Sequence, residues 1–131
     1  MAVRKIPGFM LFEAATFVAA ALIHFGVLFG GYEHQAAGTA ESVIAVVLLV
    51  GLGLVWVLPA WTRGAGLAGQ GFALLGTLVG LFTIAIGVGP RTVPDLVYHG
   101  FIVVVLIWGL VVAARSPHPT TGTTENVSTS R

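Results

Sequence analysis

Four long apolar segments, each about as long as a bilayer is thick, constrain this chain more than any other feature. They cover residues 7–30, 42–61, 67–88 and 96–114. A transmembrane helix needs about 20 apolar residues, whereas a β-barrel strand needs roughly half as many and alternates polar with apolar positions. The segments and their short connections therefore predict an all-α integral membrane protein, an up-down bundle of four transmembrane helices.

The overall composition excludes several other classes of protein. Hydrophobic residues make up 56% of the 131 residues and charged residues only 8%, which is far below the roughly 25% of soluble domains. A net charge of +1 gives no support for a nucleic-acid partner, and the absence of cysteine excludes disulfides and thiolate metal sites. The lipid bilayer is therefore the expected partner. Residues 116–131 are rich in Ser, Thr and Pro and predict a disordered cytoplasmic tail.

The basic residues predict the orientation in the membrane. One basic residue, Arg91, falls on the side away from the termini, and the other five fall on the terminal side: Arg4, Lys5, Arg63, Arg115 and Arg131. Because Lys and Arg concentrate on the cytoplasmic side, we expect a multi-pass protein of a bacterial-type plasma membrane with both termini in the cytoplasm.

Polar residues near the outer ends of the helices suggest one candidate site. His24 lies about six residues before the outer end of helix one, and His99 about four residues into helix four, so their depths agree within about one turn. Glu41 and His34 belong to the same outer layer. Such groups suit a transition metal or a haem, but they also suit proton transfer, a quinone headgroup, or structural hydrogen bonds across the bundle.

Glu13 is a second, separate candidate. It shares a helix face with His24 but lies about 16 Å away along the axis, in the inner half of the membrane. A carboxylate is costly in lipid, so Glu13 should face the interior of the bundle, carry a proton, or reach towards the cytoplasm. It is therefore an intramembrane proton or ion candidate.

Small residues predict how the helices pack. Glycines recur at helical spacing on helix three and again near the end of helix one, and small faces let helices approach closely in lipid. These faces suit packing within one bundle, or against a second copy or a membrane-complex partner. The glycines concerned are Gly26, Gly30, Gly69, Gly76, Gly80 and Gly87.

Three functions remain open on the sequence. The protein is a packing or accessory subunit, a haem- or metal-binding redox subunit using His24 and His99, or a small proton- or ion-coupled transporter using Glu13 and His24. The sequence contains no phosphate-binding loop and no nucleophile elbow, so enzymatic activity is not expected.

Overall fold

Four long helices make up the structure, a computed structural model that describes residues 3–117. Helix α1 spans Ile6–His24, α2 spans Gln35–Val57, α3 spans Thr62–Ala85 and α4 spans Val93–Ala114. All four are long and apolar enough to cross a membrane, so the chain is a small multi-pass membrane protein with the expected bundle of four helices. The tail expected to be disordered lies, from residue 118 onwards, outside the described residues.

The up-down arrangement gives the bundle two distinct ends. The connections formed by residues 25–34 and 86–92 lie at one end, which we call the histidine end because His24, His34 and His99 lie close to it. The connection formed by residues 58–61 lies at the other end, with the start of α1 and the end of α4, and we call this the terminal end. Helix α1 contacts each of the other three helices, so its polar residues can meet partners from all of them.

Glycines in the left-handed conformation end two helices earlier than the hydropathy predicts. Gly26 has φ +73° and follows the last turn of α1, while Gly87 has φ +85° and follows α3. Gly26, Gly30 and Gly87 therefore lie in connections, not on the helix faces to which the sequence pattern assigned them. Apolar residues continue past both helix ends, and hydropathy cannot register a backbone that turns within an apolar run.

Capping side chains start α2 and α4 earlier than the apolar runs suggest. His34 caps α2, where its Nδ1 accepts a hydrogen bond from the Ala37 N–H (3.1 Å). Thr92 and Asp95 form a capping box at the start of α4, as the Thr-Val-Pro-Asp sequence indicates. The first turns of both helices are polar or small, so a hydropathy window begins later than the backbone does.

The buried core is apolar and divides into two layers. The layer nearer the histidine end contains Ala14, Phe17, Ile44, Ala45, Leu48, Ala73, Ile102 and Leu106. The layer nearer the terminal end contains Ile6, Met10, Leu52, Val55, Ala65 and Ala113. The outward faces carry large apolar side chains, such as Leu75 and Val104, as a lipid-facing surface requires.

Gly69 and Gly76 on α3 face neighbouring helices, but they meet side chains and not a second backbone. A Cβ on Gly69 would lie 3.2 Å from the Met10 side chain, and one on Gly76 would lie 2.8 Å from the Ile44 side chain. These glycines therefore make room for large residues of α1 and α2 within a single bundle.

A buried histidine–carboxylate cluster as the candidate functional site

An imidazole held between two buried carboxylates is the central feature of the histidine end. His24, the last residue of α1, bonds Glu41 of α2 through Nδ1 (2.7 Å to Oε2) and Asp95 of α4 through Nε2 (3.0 Å to Oδ1). The three residues, which we call the His24 cluster, are 2%, 5% and 8% exposed. Ionisable groups from three helices therefore meet inside a bundle whose buried residues are mostly apolar.

The two carboxylates of the cluster differ in how fully they are hydrogen-bonded. Asp95 is the third residue of α4, and its Oδ2 accepts from the Thr92 backbone N–H (3.3 Å) and from the Thr92 hydroxyl. The positive end of the α4 dipole also favours a negative charge there. Glu41 lies about two turns into α2, and its Oε1 has no hydrogen-bond partner within residues 3–117. Asp95 is therefore the better stabilised anion of the two.

His99 joins the cluster indirectly. Its Nδ1 donates to the backbone carbonyl of Asp95 (2.8 Å), so the neutral ring keeps its lone pair on Nε2. That nitrogen lies 3.3 Å from the position that a Cβ on Gly80 would occupy. His24 and His99 are therefore linked through Asp95, which bonds to both residues.

His34 holds the two connections of the histidine end together. Its Nδ1 caps α2, and its Nε2 donates to the backbone carbonyl of Val88 (3.2 Å) in the connection after α3. Both ring nitrogens are thus engaged with backbone groups. The His34 ring lies 6.5 Å from the His24 ring, measured between centroids, so it packs beside the cluster without bonding to it.

Cavities lie on both sides of the His24 cluster. A cleft of about 510 Å³ between α1 and α4 is lined by apolar and aromatic side chains, with His24, Asp95 and Tyr98 as polar groups in its wall. A smaller cavity of about 170 Å³ is lined by Glu41, His34 and His99 together with the glycine face of α3. The His24 cluster therefore lies between two spaces, with Asp95 in the lining of the first and Glu41 in the lining of the second.

The proton content of the cluster follows from its hydrogen bonds. Each of the two bonds of His24 needs one hydrogen, so the three groups share two protons and carry a net charge of −1, whether the ring is an imidazolium or one carboxyl group is protonated. A third proton fits on Oε1 of Glu41, which has a free lone pair. The arrangement can therefore exchange one proton and become neutral without breaking either bond.

The same geometry gives little support to a metal or haem site. Both His24 nitrogens point at carboxylate oxygens, both His34 nitrogens bond to backbone, and only Nε2 of His99 is left to coordinate. Within residues 3–117, no group of three or more His, Asp or Glu side chains is arranged to hold a metal ion.

Several residues of the site carried little signal in the sequence. Asp95 is a cluster member that the sequence places near the histidine layer, but its position three of a capping box is also a common place for an acidic residue without any further role. Gln70 is fully buried near Glu13, and its only signal was an amide inside a span. Tyr98 lines the cleft, whereas a tyrosine near a helix end reads as an interfacial aromatic.

Comparison of the chain with protein-family models, curated proteins and solved structures found no match.

Proposed function

We propose that this protein is a small proton-coupled membrane transporter and that the His24 cluster is its proton-exchange site. The observation that carries the proposal is the imidazole with both ring nitrogens bonded to buried carboxylates, at 2.7 and 3.0 Å. Ionisable groups are expensive within a membrane, and when they occur there they commonly mark ion or proton pathways. A purely structural role needs only one donor and one acceptor, not three titratable groups with a net charge.

The proton moves between two protonation states of one hydrogen-bonded unit. Glu41 accepts the exchanging proton at Oε1, because among the carboxylate oxygens of the cluster that atom alone has no donor within residues 3–117. Thr92 and the start of α4 stabilise a negative charge on Asp95 once that proton has left. His24 then shifts its shared protons between the two carboxylates, so a proton received on one side can leave on the other.

The two cavities supply access for this exchange. The smaller cavity reaches Glu41, and the charged or titratable groups nearest to it are His34 and His99. The cleft between α1 and α4 reaches His24 and Asp95 on the opposite side. A proton that passes through the His24 cluster would therefore enter and leave by different spaces.

Proton flux into liposomes tests this proposal. The purified protein is reconstituted with a pH-sensitive dye inside, and an acid pulse is applied outside with valinomycin and K⁺ present to remove the electrical counter-potential. We expect faster acidification than in protein-free liposomes and loss of the increment in His24→Gln. The matched control is His118→Gln, a histidine outside the His24 cluster.

Equal rates for the unaltered protein, His24→Gln and protein-free liposomes would contradict a proton-exchange role. The packing or accessory role would then be the better account, because it requires the cluster only for stability. In that case the outward apolar faces are the surfaces that a second copy or a membrane-complex partner would cover.

A second candidate function is binding of a lipid-soluble ligand with a polar ring, such as a quinone headgroup. The specific observation is the cleft of about 510 Å³, which has mostly apolar walls and has His24, Asp95 and Tyr98 among its lining residues. Pockets of this kind, apolar with a few convergent polar groups, are typical small-molecule sites. Entry would be from the membrane, between α1 and α4.

A matched pair of alanines tests the second candidate. Ala19 lines the cleft, whereas Ala15, one turn earlier on the exposed part of α1, does not. We expect Ala19→Phe to abolish quenching of tyrosine fluorescence by a short-chain quinone, and Ala15→Phe to leave it unchanged. Equal quenching in both variants would place any bound quinone elsewhere.

The location and orientation belong to the same proposal. We infer a bacterial-type plasma membrane, with both termini and the terminal end of the bundle in the cytoplasm and the histidine end facing outwards. The support is the distribution of Lys and Arg, because Arg91 is the one basic residue at the histidine end within residues 3–117.

A further inference from the structure

A second polar pair lies fully buried in the bundle, apart from the His24 cluster. Glu13 of α1 and Gln70 of α3 each have an exposed fraction of 0%. Within residues 3–117, none of the four polar side-chain atoms of these two residues has a hydrogen-bond partner. Buried polar groups are nearly always bonded, so a set of four unbonded atoms in one place indicates a missing hydrogen or ligand.

The two side chains point at the same place on α4. A Cβ on Gly109 would lie 2.8 Å from Oε1 of Glu13 and would also collide with Oε1 of Gln70. Gly109 therefore clears the space in which the two oxygens face each other. Two acceptor oxygens repel unless a hydrogen or a cation lies between them.

The surroundings of Glu13 favour a proton over a cation. The nearest basic residue along α1 is Lys5, eight positions earlier and therefore about 12 Å away along the axis. Hard metal cations take about six or more oxygen ligands, whereas this site offers three side-chain oxygens among helices whose carbonyls are used in helical bonds. An ionised carboxylate without a partner is far costlier to bury than the neutral acid.

We infer that Glu13 and Gln70 form a second proton-binding site, in which a protonated Glu13 donates to the amide oxygen of Gln70 in the space that Gly109 leaves open. The site is distinct from the His24 cluster. Glu13 and His24 are eleven residues apart in α1, which is about 16 Å along the helix axis. Apolar core residues lie between the two sites: Phe17 on α1, and Ile102 and Leu106 on α4. The inference therefore stands whether or not the His24 cluster transports protons.

Reaction with dicyclohexylcarbodiimide tests for a protonated carboxyl group in the membrane. The acid proton passes to a carbodiimide nitrogen, the carboxylate oxygen attacks the central carbon, and rearrangement leaves a stable N-acylurea without a leaving group. We expect one carbodiimide to be added at Glu13 of the reconstituted protein, mapped by mass spectrometry. Glu13→Gln should lose this product, and Glu33→Gln, which alters an exposed connection residue, should keep it.

Infrared spectroscopy gives a second and independent measurement. The unaltered protein should show a carboxylic-acid C=O band component that is lost in Glu13→Gln and shifted to higher frequency in Gln70→Leu, because the acid then loses its acceptor. A carboxylate band assigned to Glu13, or an acid band that Gln70→Leu does not move, would overturn the inference. Neither result depends on proton flux, so failure here is separate from failure of the transport proposal.

Discussion

Replacing His24 by leucine distinguishes an ionic His24 cluster from a neutral one. The substitution leaves Oε2 of Glu41 and Oδ1 of Asp95 buried without their donor. Removing one partner from a buried ion pair costs about 3–5 kcal/mol. Neutral hydrogen bonds between transmembrane helices average only about 0.6 kcal/mol each, so losing two of them would cost about 1 kcal/mol. The geometry assigns a charge to the cluster, so we expect the larger loss in the free energy of unfolding.

A double substitution refines this measurement. In His24→Leu/Glu41→Leu, the less well bonded carboxylate is removed as well, while Asp95 retains its bonds to Thr92. We expect the double variant to be more stable than His24→Leu by about 1–3 kcal/mol, because one uncompensated buried polar group has gone. The free energies come from reversible unfolding in mixed micelles, followed by far-ultraviolet circular dichroism.

Two outcomes of this cycle would refute the reasoning. A loss of about 1 kcal/mol or less for His24→Leu would mean that the cluster carries no buried charge, since that is the cost of neutral bonds alone. A double variant less stable than His24→Leu would mean that Glu41 stabilises the bundle without His24. The control variant is His118→Leu, which removes a histidine that lies outside residues 3–117.

Three further predictions concern packing, topology and capping. Gly109→Ala should lower the free energy of unfolding in the same assay by about 1–3 kcal/mol, because the added Cβ has no room. The control Gly100→Ala should cause no loss, because nothing lies within 4 Å of the added Cβ. A reporter fused after Arg115 should be cytoplasmic and one inserted near Gln35 should not; finding both on one side would contradict three spans between these two positions. Thr92→Ala should cost about 0.5–2 kcal/mol through the lost α4 cap, and an unchanged unfolding curve would mean that the capping box contributes nothing.

The sequence alone predicted the number and kind of the helices well. A bilayer demands about 20 apolar residues per span and satisfied backbone groups, so length and hydropathy leave little choice. The helix ends were less predictable. α1 ends at His24, not near residue 30, since Gly26 turns the backbone inside an apolar run that continues to Phe29. Hydropathy measures the solvent preference of side chains and is insensitive to such a turn.

The composition of the candidate site depended on tertiary structure. The sequence placed His24, Glu41 and His99 in one layer, but their partners depend on helix rotation and on where α1 ends, neither of which hydropathy records. Asp95 bonds to His24 because its place in the capping box points one carboxylate oxygen at Thr92 and the other at the His24 ring. His99 instead bonds the backbone one turn earlier.

Glu13 shows the same division between local and tertiary information. The sequence established that a carboxylate lies within a transmembrane helix, and the cost of charge in lipid then required it to be buried, neutral or at the boundary. That Glu13 is buried follows only from the packing of α1 against α3 and α4. This packing places Gln70 beside Glu13, and Gly109 close to the side chains of both residues. Hydropathy determines which segments enter the membrane, whereas polar contacts between helices depend on side chains distant in sequence, whose positions only the assembled bundle defines.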